Sequence, residues 1–182
     1  RDLHSSPTRR SPDVERKGGR TIADMEWQRG RFRVHIRAAQ RVRKPLVIHT
    51  RNASADTIAI LKEEGEEGGA QAAGGVFHCF TETAEVARAA LDLGFYISFS
   101  GIVTFRNAAD LRDVARQVPA DRLLVATDSP YLAPVPHRGK ATLPHFAVEL
   151  AQCLADCRAV TLATPAPQAT AHARRRLPPP TP

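Results

Sequence analysis

The chain has 182 residues and is 42% hydrophobic and 25% charged, which suits one domain with a sizeable core and excludes a wholly disordered or membrane-embedded polypeptide. No apolar run approaches the roughly 18 residues that a membrane-crossing helix needs. The formal net charge is +7, but its distribution argues against a nucleic-acid footprint, because residues 25–136 hold fourteen Lys/Arg against thirteen Asp/Glu. One local exception is Arg29 to Lys44, with seven basic residues and no acidic one; a solvated helix face is its ordinary explanation.

Residues 1–23 are rich in Arg, Ser, Pro and Gly and predict an irregular segment. Their start has no apolar signal core, and the odd cysteine count (Cys79, Cys153 and Cys157) fits a reducing compartment, so a cytoplasmic location is expected. Met25, Phe32, Ile36, Ala39 and Val42 recur at helical spacing and predict an amphipathic helix ending before Pro45. Leu46–Ile48 reads as a short buried strand. Residues 53–64 read as a helix with Ile58 and Leu61 inward, stopped by Gly65. Residues 66–73 read as a linker, Val76 and Phe77 as a strand, 82–93 as a helix, 95–99 as a strand, 107–117 as a helix and 123–127 as a strand. After Asp128 the text Ser129-Pro130-Tyr131-Leu132-Ala133-Pro134-Val135-Pro136 predicts an irregular active-site loop. Phe146 to Leu154 fits one more helix, and the Ala/Thr/Pro/Arg-rich end fits a tail without a core face.

Alternation of helices with unbroken apolar strands means a parallel sheet buried on both faces. An open doubly wound sheet and a (β/α)8 barrel both satisfy it. No G-x-G-x-x-G follows a strand, which weighs against a dinucleotide-binding version.

Three strands end on residues that bind metals. His49 follows Leu46-Val47-Ile48, His78 follows Val76-Phe77, and Asp128 follows Leu123 to Thr127. Barrel enzymes draw their chemistry from the carboxyl ends of several strands. Two imidazoles and a carboxylate on such a rim are a donor set for a divalent cation that acidifies bound water. Each residue alone has a duller explanation: a hydrogen-bonded histidine, or an aspartate opening a Ser-Pro turn. Cys79 is expected to pack, and Cys153 and Cys157 to be ordinary thiols.

The stretches Pro45-Leu46-Val47-Ile48-His49-Thr50-Arg51-Asn52-Ala53, Gly75-Val76-Phe77-His78-Cys79-Phe80-Thr81, Gly94-Phe95-Tyr96-Ile97-Ser98-Phe99-Ser100-Gly101 and Arg122 to Pro134 resemble, in order, the TatD-type metal-dependent deoxyribonucleases. The resemblance covers about residues 24–140. It implies an α/β fold, a partial TIM (β/α)8 barrel of the amidohydrolase-like hydrolases lacking early strands and the last strand. It also implies a nuclease that hydrolyses DNA, from single strands or 3′ ends, with Mg, Mn or Zn. On it, His49, His78 and Asp128 are the expected metal ligands, and Asp128 also handles the proton of water. Arg51, Ser100 and Gly101 are the expected substrate-binding residues.

The sequence departs from the family pattern in four places. The opening Asp-x-His-x-His is absent, and His4 stands alone. The Gly-Glu-x-Gly-Leu-Asp segment with its bridging glutamate is absent. Ala126 stands where the family has Glu before Thr-Asp-Ser-Pro. Residues 141–182 depart from the Arg-Asn-Glu-Pro text. The expected layout is an irregular segment at 1–23, a partial barrel at 24–140 and a divergent tail at 141–182, from a truncated or frameshifted member. Two rival readings remain: an inactive fragment or basic interaction module, and an amidohydrolase-like barrel with a non-nucleic-acid substrate.

Overall fold

The computed structural model describes residues 25–51, 53–66 and 72–160. The expectations for residues 1–23, for most of the linker and for the tail beyond residue 160 fall outside these.

Helix α1 spans Glu26–Val42 and ends where Arg43 takes a left-handed conformation (φ 51°). It buries Phe32 and Ile36. Val42, expected inward, is 59% exposed in the last turn. Strand β1 is Leu46–Ile48, helix α2 Ser54–Glu63, strand β2 Gly75–Phe77 and helix α3 Ala84–Asp92. Thr83 caps α3 by accepting from the Val86 amide. Strand β3 is Tyr96–Phe99, helix α4 Ala109–Gln117, strand β4 Leu123–Val125 and helix α5 Ala147–Cys157. In α2 the buried residues are Thr57, Ile60 and Leu61, so Ile58 sits at the margin of the core rather than in it.

The four strands form one sheet in the order β1-β2-β3-β4, and every pair is parallel. Sequential order with helical crossovers is the repeating unit of a TIM barrel, and among the described residues four such units are present. Alternation along each strand sorts the side chains. Leu46, Ile48, Phe77, Ile97, Phe99 and Leu123 join the main core with the helices. Val76, Tyr96 and Leu124 form a separate small cluster on the other face. Helix α5 belongs to the packed body: Leu150 and Leu154 are fully buried, and the Arg158 guanidinium donates to the carbonyls of Ala115 (2.7 Å) and Val118 (2.6 Å) beside α4.

Glycines permit two close approaches. Gly75 has φ 150°, and a Cβ there would stand 2.0 Å from the Leu46 carbonyl oxygen on β1. Gly101 follows β3, and a Cβ there would stand 1.8 Å from the carbonyl oxygen of Leu132. The backbone after Asp128 therefore lies directly on the backbone after β3.

Glu66 is the residue that the linker reading missed. It is completely buried and accepts from Gln40 Nε2 (2.8 Å) and from the amides of Ala73 (3.0 Å) and Gly74 (2.8 Å). A buried carboxylate persists only with such partners. Here it joins the end of α1 to the chain entering β2. Glu66→Ala leaves these donors unmatched, and a loss of about 2–4 kcal/mol is expected in urea unfolding. Gly101→Ala is expected to cost about 3 kcal/mol or more by the same measurement, because backbone rather than a flexible side chain must move.

Candidate active site

Parallel register brings the carboxyl ends of the strands to one rim. Ile48 pairs with Phe77, so His49 and His78 follow neighbouring strand ends. The His78 amide extends the ladder by donating to the Ile48 carbonyl (2.7 Å). On the other side Phe99 pairs with Val125, and the Ala126 amide donates to the Phe99 carbonyl (3.0 Å). That bond carries the register up to Thr127 and Asp128.

His78 and Asp128 meet. His78 Nε2 lies 3.0 Å from Asp128 Oδ1, although β3 separates their strands. Neighbouring strands are about 4.8 Å apart, so this bond bridges roughly 10 Å of sheet. An ionised carboxylate only accepts, so in this bond Nε2 is the donor.

Cys79 lies beneath this bridge. It turns out of the strand with φ 50°, and its thiol is buried 2.9 Å from Ser100 Oγ. Burial pushes the thiol up to about 11; the Ser100 hydrogen bond opposes this, and the charge of Asp128 adds to it. Cys79 is therefore a protonated packing group supporting the site, as expected of its type.

Ser100 and Gly101 were expected at the mouth of the site. The structure buries both: Ser100 is occupied with Cys79, and Gly101 lies under Leu132. They support the rim from below. Arg51, two residues after His49, is exposed.

Of the three expected metal donors, His78 and Asp128 are engaged with each other, and His49 follows the neighbouring strand end. Among the described residues no group of three or more His, Cys, Asp or Glu side chains forms a metal-holding cluster. A catalytic zinc site takes three protein donors and an open position. The residues described here do not by themselves fit such a centre.

Sequence reasoning also left out the ties on the loop that carries Asp128. The Tyr131 amide donates to the Asp128 carbonyl (2.7 Å), and the Thr142 amide donates to the Pro130 carbonyl (2.9 Å). Thr104 Oγ1 accepts from the Val135 amide (2.9 Å), and the Arg138 guanidinium lies 3.8 Å from the centre of the Phe105 ring. The polar text after Asp128 was the available signal, but partners so distant in sequence cannot be read from it.

Three of the seven basic residues of this run meet acids of α2 or its C-terminal cap: Arg29 to Asp56 (2.7 Å), Arg33 to Glu63 (2.7 Å) and Arg37 to Glu64 (2.6 Å). Among the described residues no helix is long and apolar enough to cross a membrane.

Comparison with known proteins places this arrangement. The family described as TatD related DNase matches residues 18–177, beyond the 24–140 stretch on both sides. The chain is 56% identical over 135 residues to "Uncharacterized metal-dependent hydrolase YcfH" of Escherichia coli K12, covering 74% of this chain and 49% of that protein. It is 44% identical over 144 residues to "Uncharacterized metal-dependent hydrolase YabD" of Bacillus subtilis, covering 79% of this chain and 55% of that protein. The chain thus spans about half the length of these relatives. Among solved structures, YjjV, a TatD homolog of E. coli K12, aligns with TM-score 0.74 and 23% identity over 82% of this chain and 56% of that chain. A TatD family hydrolase of Entamoeba histolytica aligns with TM-score 0.71 and 22% identity over 86% of this chain and 58% of that chain. At such identities the two structures speak for the fold, and the family and sequence matches carry the assignment: this chain belongs to the TatD family.

Proposed function

We propose that this chain carries the middle-strand part of a hydrolytic centre that cleaves phosphodiester bonds of DNA. The observation behind this reading is the 3.0 Å hydrogen bond between His78 and Asp128, on the strand-end rim of a chain of this family. Barrel enzymes work at that rim.

The His78 bond fixes the orientation of the Asp128 carboxylate. In the reaction, a water oxygen forms a bond to phosphorus and the phosphorus–oxygen ester bond breaks. The proton of water passes to Asp128 and then to the leaving oxygen. Orientation of this kind is how a positioned side chain becomes effective as a base. Arg51 supplies an exposed guanidinium for a non-bridging phosphate oxygen, a geometry that arginine serves in two-point contacts.

The relatives' names speak of metal dependence. We assign His49, His78 and Asp128 as this segment's donors toward a divalent ion, Mg, Mn or Zn, whose other ligands lie outside the described residues. The reading as a basic binding module is less favoured, because three arginines of the basic run are paired with acids of α2 and its C-terminal cap.

The test is release of nucleotides from 3′-labelled single-stranded DNA with Mg, Mn or Zn added, and with chelator as control. His78→Ala and Asp128→Asn are each expected to lower kcat by about 100-fold or more. Arg51→Ala is expected to raise KM by about tenfold, the loss of one charge-assisted contact. Cleavage that survives both rim substitutions overturns the assignment. So does salt-sensitive retention of DNA without cleavage, or turnover of small esters or amides but not of DNA.

A further inference from the structure

We infer that His137 and Glu149 are positioning residues for the site, and that through them helix α5 holds the loop bearing Asp128. From Ala126 to Leu143 the chain has no helix or strand, so its shape depends on individual ties. At its far end His137 Nε2 lies 3.0 Å from Glu149 Oε1, in the first turn of α5. The imidazole also stacks face to face on Phe146, with centroids 3.9 Å apart and an interplanar angle of 3°. His145 meets the same Phe146 ring edge-on at 4.5 Å. Two contacts at right angles, one polar and one planar, fix both the position and the tilt of the His137 ring.

Glu149 is committed to this contact. Its Oε2 is buried and has no hydrogen-bond partner, so the carboxylate is held through Oε1 alone. The His137 bond is the main reason its carboxyl is held below the usual carboxylate range, helped by a backbone bond and by the charges of His137 and His145. From His137 the constraint runs back along the loop. The His137 amide donates to Pro134 (2.7 Å), the Val135 amide to Thr104 Oγ1 (2.9 Å), the Thr142 amide to Pro130 (2.9 Å) and the Tyr131 amide to Asp128 itself (2.7 Å). Helix α5 is in turn anchored in the core by Leu150 and Leu154. Releasing Glu149 removes the polar tie between the loop and α5 and leaves His137 with its stack on Phe146.

The link to catalysis rests on the function proposed above, but the link itself does not, so the test starts without turnover. Amide hydrogen exchange is followed in the full chain for Tyr131, Val135, His137 and Thr142, with Ile97 and Phe99 of β3 as references. Glu149→Ala is expected to speed the loop amides by about tenfold, the scale of one lost hydrogen bond, and to leave the β3 amides unchanged. Glu149→Gln keeps an acceptor for His137 and is expected to restore protection. The side-chain nitrogen resonances of His78 are expected to shift in Glu149→Ala and to return in Glu149→Gln, which a merely structural role for α5 does not require. Unchanged loop exchange in Glu149→Ala, or a rise shared equally by β3, overturns the proposal. So does a His78 spectrum indifferent to both substitutions. Absence of DNA cleavage in the parent chain bears on the function proposed above and leaves these readouts decisive.

Discussion

The whole arrangement depends on parallel register. His78 and Asp128 are fifty positions apart, and neither has any local reason to meet the other. They meet because β2, β3 and β4 run the same way and their ends come level, with ladder bonds continuing beyond the strands at His78 and Ala126. A register shift of one residue at β4 would turn Asp128 away and send Leu123 and Val125 off the helix-covered face. The main core and the site therefore enforce the same alignment: burial of Phe77, Ile97, Phe99 and Leu123 is what makes the polar contact above them reproducible.

The basic run of α1 has a structural use. Arg29, Arg33 and Arg37 recur every four residues along α1, and Asp56, Glu63 and Glu64 meet them from α2. Exposed pairs of this kind contribute little stability each, about 0–1 kcal/mol. Their effect is to select which faces of the two helices adjoin, since other rotations part these arginines from the acids. Glu66 completes the seam from the buried side through Gln40. Three of the seven basic residues between Arg29 and Lys44 are thus engaged inside the molecule.

Much of this was legible in the sequence, and the failures have physical causes. The strands and helices followed from apolar runs broken by Gly and Pro, because parallel strands are buried on both faces and leave no polar gaps. His78 and Asp128 were recognisable from their place after such runs. Strand ends and helix caps moved by one or two residues, since the last apolar residue of a run need not be the last one paired. Glu66 was illegible because Glu in a Gly-rich stretch looks like a solvated turn; only the folded chain supplies the amides that surround it. Ser100 and Gly101 misled for the opposite reason. Small residues at a strand end look like an open mouth, whereas here they admit the backbone near Leu132 and the Cys79 thiol.

His78 follows a strand paired on both sides, whereas His49 and Asp128 follow the two outer strands of the described sheet. Val47 at the centre of β1 is 49% exposed, where the equivalent Val76 on β2 is buried. An outer strand fixes its backbone through one ladder. Asp128 is held nonetheless, because the Tyr131 amide ties the loop after β4 and His78 reaches the carboxylate across β3. A polar residue beyond an outer strand is thus placed by its loop and by a partner two strands away rather than by a second ladder.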